Sequence, residues 1–171
     1  MTQSPSRRRF IQSSAALGAA GVGFWTSSRP ARLHAEETPN QRLAAACIGV
    51  GGKGSSDTDD LKRAGAEVVA LCDVDGKELK KKQRMYPDAK TFQDFRDLFD
   101  AMGDRIDLVS VSTPDHTHCS AAVRAMSMGK HVYCQKPLTW SIGEARMMRE
   151  VAKSSGVVTQ MGNQGNSQDG S

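Results

Sequence analysis

From Leu43 onward, short apolar runs alternate with longer stretches in which apolar residues return at three- and four-residue spacing. The first run, Leu43–Ile48 (LAAACI), reads as a strand that enters a glycine-rich turn ending at Gly54. Ser55–Ala64 follows as a helix, with Leu61 and Ala64 at helical spacing and Gly65 as its stop. Glu67–Asp73 (EVVALCD) is a second apolar, β-branched run. Asp75 and Glu78 have capping-box spacing and open a charged helix that Pro87 stops. Ala89–Phe92 predicts a short strand, and Asp94 caps a helix whose Phe95, Leu98, Phe99 and Met102 share one face up to Gly103. Asp107–Thr113 (DLVSVST) is a third clear strand. Pro114 opens the next helix, with Ala122, Ala125 and Met126 in one stripe and Gly129 as its end. His131–Cys134 is a strand, and Ser141 with Glu144 forms a second capping-box spacing before a helix through Ala152, closed by Gly156. Val157–Met161 is the last strand.

Strands alternating with helices in this rhythm predict βαβ units and a mainly parallel sheet. The near-continuous apolar runs fit strands covered on both faces. Six strands correspond to a complete doubly wound α/β sheet in the order 3-2-1-4-5-6.

Length and charge add a leader to this picture. At 171 residues the chain supports one domain, or one domain with a tail. Residues 1–35 carry five arginines and no acid, which leaves 18 basic and 19 acidic residues in the rest. The basic balance therefore belongs to the leader and gives no support for a nucleic-acid-binding surface. Arg7, Arg8 and Arg9 precede Phe10 and Ile11, then a mild apolar run over Ala15–Trp25, then Leu33-His34-Ala35 with Ala35 as the last residue removed. This order resembles a twin-arginine export signal and implies the export machinery as a partner and a periplasmic or extracellular destination. The apolar run is shorter than the ~20 residues a membrane span needs. Residues 36–42 read as a polar linker, 43–166 as the domain and 167–171 as a tail. Cys47, Cys72, Cys119 and Cys134 stand singly with no C-x-x-C pair, which favours buried reduced thiols over a disulfide framework.

Three stretches carry candidate chemistry. Gly49, Gly51 and Gly54 stand in G-x-G-x-x-G order, with Gly52 and Lys53 between them. The first glycine permits a tight turn, the second lets backbone approach a pyrophosphate, and the third lets the helix close on the strand. Such turns often bind nothing, so the context decides. Asp73 ends the second strand 24 residues after Gly49, where a carboxylate can accept from a ribose or simply cap a turn. An acid there favours NAD over NADP, because a 2′-phosphate would meet a like charge. Lys53 is followed by Gly54 where a Walker loop needs Ser or Thr. Ser112, Thr113, Pro114, Asp115, His116 and His118 lie at the carboxyl end of the third clear strand, the ligand-binding edge of open α/β sheets. His116 and His118 do not share a helix face, and no full metal-ligand set accompanies them. No metal is expected. Gln135, Lys136 and Pro137 end the next strand at the same edge. Lys136 is either a proton-handling lysine or a surface lysine beside a turn proline.

GVGGKG, VVALCDVD, STPDHTH, GKHVYCQKPLT and QMGNQGN together, over Leu43–Asn166, resemble the N-terminal Rossmann domain of the Gfo/Idh/MocA oxidoreductases. The resemblance implies dinucleotide contacts from Gly49–Gly54, ribose contact from Asp73, and a nicotinamide side lined by Ser112 through His118 with Gln135 and Lys136. Asp115 replaces the family's usual Asn, and Gln135 stands where Glu is usual. By resemblance, Lys136 lies near the reacting carbon; without the acid at 135 it would be more easily neutralised. Family members continue into a second α/β domain that supplies substrate contacts and subunit interfaces. This chain stops at Ser171, so that domain is expected to be missing here. The implied activity of a complete form is hydride transfer on a sugar or polyol, in a homo-oligomer. NAD-dependent glycoside cleavage, or a non-catalytic dinucleotide-binding fragment, are the alternatives.

Overall fold

A computed structural model describes residues 42–163; the leader, nearly all of the linker and the tail lie outside the described residues. The chain runs β1 (Ala44–Ile48), α1 (Gly52–Arg63), β2 (Glu67–Cys72), α2 (Gly76–Gln83), β3 (Lys90–Phe92) and α3 (Phe95–Met102). After a short 3₁₀ turn at Gly103–Arg105 come β4 (Leu108–Val111), α4 (Asp115–Ser127), β5 (His131–Gln135), α5 (Ile142–Ser155) and β6 (Thr159–Gly162). All five strand pairings are parallel, in the order β3-β2-β1-β4-β5-β6. The order predicted from the sequence is the order found.

Side chains alternate across a strand, so β1 feeds two cores. Ala46 and Ile48 join Leu98, Phe99, Val109, Val111, Ala122, Ala125 and Met126 beneath α3, α4 and α5. Cys47 points the other way, to Val50, Val68, Leu71, Leu79, Tyr86 and Ala89, with Leu61 of α1 packed against them. Both faces of the inner strands are thereby covered, which is what their continuous apolar runs require. The two halves meet at β1 and β4, whose register brings Ile48 opposite Val111. Their carboxyl ends form the cleft floor.

Three helices are capped by a side chain. Asp75 accepts from the Lys77 N–H, Asp94 from the Arg96 N–H, and Ser141 forms a full capping box with Glu144. The box expected at Asp75 and Glu78 is therefore only half made, and α2 ends at Gln83, ahead of Pro87. The last strand also differs. Val158 precedes it and is exposed, and β6 is solvent-facing along Thr159–Met161 because it forms the sheet edge. All four cysteines are free and buried. Among the described residues, no helix is long and apolar enough to cross a membrane.

Candidate functional site

The glycine turn links β1 to α1 under tight steric control. Gly49 has φ +81°, and a Cβ on it would stand 2.7 Å from the Ser112 carbonyl carbon. A Cβ on Gly54 would lie 1.8 Å from the Gly49 oxygen, so only glycine lets α1 start this close to β1. Gly51 is the N-cap of α1 and offers no side chain to its N–H groups; the first turn holds no acid. The first N–H groups of a helix lack intrahelical partners. Here Asp73 takes the N–H of Gly51, no side chain caps the helix, and its start carries the positive end of the helix dipole, a setting suited to an anion.

Asp73 sits immediately beyond β2 and closes on this turn. Its Oδ2 accepts from the Val50 N–H at 2.8 Å and the Gly51 N–H at 3.0 Å, and its Oδ1 accepts from the Asp75 N–H at 2.9 Å. The carboxylate thus fixes the turn as well as edging the cleft. A carboxylate has about four acceptor positions, so one remains for an incoming hydroxyl.

A cavity of about 510 Å³ opens here. Gly49, Gly51 and Asp73 form one wall, and Ser112, Thr113, Pro114 and His116 form another. Gly52 and Lys53 begin α1 just after Gly51 and are not among the lining residues. A third wall was not foreseen from the sequence: Gln93 and Asp94, between β3 and α3, with Phe95 and Arg96 at the start of α3. Asp94 is legible as a helix cap, yet it also stands at the carboxyl end of a strand. The edge rule that singled out Thr113 and Lys136 applies to it equally. The Arg96 Nε donates to Asp94 Oδ1 at 2.9 Å and Oδ2 at 3.0 Å. That guanidinium holds the Asp94 carboxyl down to about 2.

His118 is placed otherwise than expected. It does not line the cavity: it is 1% exposed, with Nδ1 2.8 Å from the Pro137 carbonyl oxygen and Nε2 2.7 Å from that of Thr113. The ring ties the loop after β4 to the turn after β5. His116, one helical step away, stays exposed on the cavity wall. Thr113 Oγ1 accepts from the Thr117 hydroxyl at 2.7 Å, which steadies the start of α4.

Gln135 also departs from its expected surroundings. Its side chain is 5% exposed, and its Nε2 donates to Asp57 Oδ2 at 2.8 Å. Its Oε1 accepts from the backbone N–H of Lys136 at 3.3 Å. A glutamate at 135 would therefore face the Asp57 carboxylate. Lys136 itself is exposed, at the carboxyl end of β5, and joined to Pro137 by a cis peptide. It is not desolvated in the described chain. Asp57 joins three side chains of the site and was not singled out from the sequence. Lys53 Nζ is 2.9 Å from its Oδ1, and the Ser112 hydroxyl donates to its Oδ2 at 2.8 Å. The Asp57 hydrogen bond holds the Lys53 ammonium above the ordinary lysine range. Among the described residues, no group of three or more His, Cys, Asp or Glu could hold a metal ion.

A parallel sheet in this order, with a glycine-opened, side-chain-free helix start facing a strand-end aspartate, defines a dinucleotide-binding domain of the Rossmann type. The chain belongs to the Gfo/Idh/MocA oxidoreductases: residues 43–163 match the family described as an oxidoreductase family with an NAD-binding Rossmann fold. It is 30% identical over 120 residues to an inositol 2-dehydrogenase of Salmonella typhimurium, covering 67% of this chain and 34% of that protein. It is 33% identical over 151 residues to a glycosyl hydrolase family 109 protein of Solibacter usitatus, covering 80% of this chain and 34% of that one. The crystal structure of myo-inositol 2-dehydrogenase from Lactobacillus plantarum superposes with a TM-score of 0.70 at 28% identity, over 75% of this chain and 38% of that one. The chain thus spans about a third of the length of the relatives it matches.

Proposed function

We propose that this chain holds NAD in the cleft between the glycine turn, Asp73 and the Ser112–His116 wall, as the cofactor half of a sugar or polyol oxidoreductase. One observation carries the reading. The side-chain-free start of α1, made possible by Gly49 and Gly54, shares a cavity wall with the Asp73 carboxylate.

In this reading Gly52 and Lys53 offer backbone N–H groups to the pyrophosphate, Gly51 keeps its N–H on Asp73 and gives the backbone room to approach, and Gly54 lets the helix close on the strand. Asp73 takes a ribose hydroxyl through its remaining acceptor position and disfavours a 2′-phosphate, so NAD is preferred to NADP. Thr113, Pro114 and His116 border the nicotinamide side. Gln135 and Lys136 stand at the same sheet edge, and His118 holds their turn against Thr113. When bound, the nicotinamide supplies hydride acceptance and return. Lys136, exposed at the strand end, orients the substrate hydroxyl and in its neutral form takes the hydroxyl proton.

The substrate class rests on the inositol dehydrogenases among the relatives. A second reading, transient oxidation during glycoside cleavage, is favoured by the glycosyl hydrolase family 109 relative, which matches more of this chain. Assaying the complete protein with polyols and with aryl glycosides decides between them. NAD reduction without glycoside cleavage fits the first reading, and cleavage without net reduction fits the second. In either assay Lys136→Ala should lower kcat by about 10²–10⁴. Undiminished turnover would remove Lys136 from the proton path.

The paired arginines support export through the twin-arginine route and a periplasmic or extracellular location. Replacing Arg7 and Arg8 with Lys should block secretion; unchanged secretion would contradict that route. The family resemblance supports a homo-oligomer for the complete protein, which sedimentation would test.

A further inference from the structure

The three strand-end stretches of the site share one buried carboxylate. Asp57, in the second turn of α1, is 4% exposed. Its Oδ1 meets Lys53 from the glycine turn side, and its Oδ2 accepts from Ser112 at the end of β4 and from Gln135 at the end of β5. Gln135 lies 78 residues away along the chain.

We propose that Asp57 is a positioning residue of the cofactor site, matched to Gln135 as acceptor to donor, and that this match sets the backbone pose of Lys136. The inference rests on the dinucleotide reading above. An amide can turn either end toward a neighbour, but a buried carboxylate accepts only. Asp57 therefore fixes the Gln135 amide with nitrogen inward. Both of its N–H groups are then engaged, one by Asp57 at 2.8 Å and one by the Tyr133 hydroxyl at 3.3 Å. The carbonyl end is left for the Lys136 N–H at 3.3 Å. The same carboxylate draws the Lys53 ammonium back along α1, so the turn offers its backbone rather than a lysine side chain.

A glutamate at 135 fits beside Asp57 only at a cost that depends on pH. Two ionised carboxyl groups in a buried site repel, and one must take a proton. Asparagine at 57 reverses the polarity, because its amide nitrogen can donate to a glutamate. At neutral pH an ionised Glu at 135 is thus matched by a donor at 57.

The test is a double-mutant cycle in the full chain, with Gln135→Glu, Asp57→Asn and the two combined, read by calorimetric NAD affinity between pH 5.5 and 8. The charged or titratable groups around Asp57 are Lys53 and Asp60 on its own helix, Tyr133 on β5 and Cys47 on β1. None of these is altered. Gln135→Glu should weaken NAD binding about tenfold or more at pH 8 and recover toward pH 5.5, because protonation restores a donor between the two carboxyl groups. The combined variant should bind within about threefold of wild type, with the pH dependence gone. A merely structural defect would not be rescued by a second polar change or by acid. If Gln135→Glu fails to fold at pH 8, folding of the combined variant there is the expected rescue, and failure of both overturns the proposal. Wild-type affinity in Gln135→Glu, or additive losses in the combined variant, also overturn it. Failure of the wild-type chain to bind NAD would instead contradict the dinucleotide reading.

Discussion

Asp73 and His118 show how side chains at one sheet edge divide into those that line the cavity and those that hold the edge in place. Asp73 does both, since it borders the cavity and two glycine-turn N–H groups point at its Oδ2. Asp73→Ala should leave those donors without a partner and remove the ribose acceptor. Each charge-assisted hydrogen bond contributes about 1.5–3 kcal/mol, so NAD affinity should fall roughly tenfold to a hundredfold, with the preference over NADP narrowed. Equal NAD affinity in the variant would contradict this placement. His118 only holds: its buried ring has a backbone carbonyl at each nitrogen, Pro137 at one and Thr113 at the other. His118→Ala should cost about 3 kcal/mol in urea unfolding, from the lost hydrogen bonding and the cavity left behind. Asp73 was legible because strand, turn and spacing are local signals. The roles of His118 and Gln135 were not, because their partners are supplied by folding: Pro137 lies 19 residues from one, and Asp57 lies 78 from the other.

The helices follow the same division. α2, α3 and α5 are capped by their own side chains, whereas α1 and α4 have no side-chain cap; of the three helices that start on the cleft, only α3 is capped, by Asp94. Caps and glycine stops are written locally, so most element boundaries could be read to within a few residues. β6, expected over Val157–Met161 and found over Thr159–Gly162, is among them, and the expected strand order already made it an edge. What keeps α1 aligned is a contact that no periodicity reveals. Lys82 of α2, 2% exposed, reaches Asp59 of α1 at 2.6 Å and the Ser55 carbonyl at 2.7 Å, and Tyr86 donates to the same Asp59 at 2.7 Å. Asp59→Ala leaves that ammonium buried without its counter-ion and should cost about 3–5 kcal/mol, more than Lys82→Met, which leaves a carboxylate with access to water. Desolvation pushes the Asp59 carboxyl up, but the hydrogen bonds from Lys82 and Tyr86 outweigh it and hold it below its usual value. Because the folded value is depressed, this stabilisation is present above the unfolded carboxyl range and is lost as pH falls through the folded one. Urea titrations should therefore show wild type losing stability below about pH 4, and Asp59→Asn losing less.

At the scale of the molecule, a doubly wound sheet buries its inner strands on both faces and leaves ligand chemistry to one rim. The thiols fall on the buried side of that division. Burial pushes Cys47 up to about 11 and Cys72 and Cys134 up to about 12. An exchange reagent such as a disulfide dye should therefore find no reactive thiol in the native chain and four after denaturation. A fast-reacting native thiol would contradict the packing. The rim was legible as a place, because strand order fixes where carboxyl ends converge. Its network was legible only in part, since Gln93, Arg96 and Asp57 enter it by tertiary contact.

The most direct measurement is thermal unfolding of the full chain against rising NAD and, separately, NADP. Ligand that binds only the folded state stabilises it by about 2.7 kcal/mol at a hundred times its Kd. NAD should raise the Tm in a saturable, concentration-dependent way, NADP should do so only at higher concentration, and Asp73→Ala should abolish most of the NAD shift. No shift with either dinucleotide in the wild-type chain would contradict the assignment of this cleft to a dinucleotide.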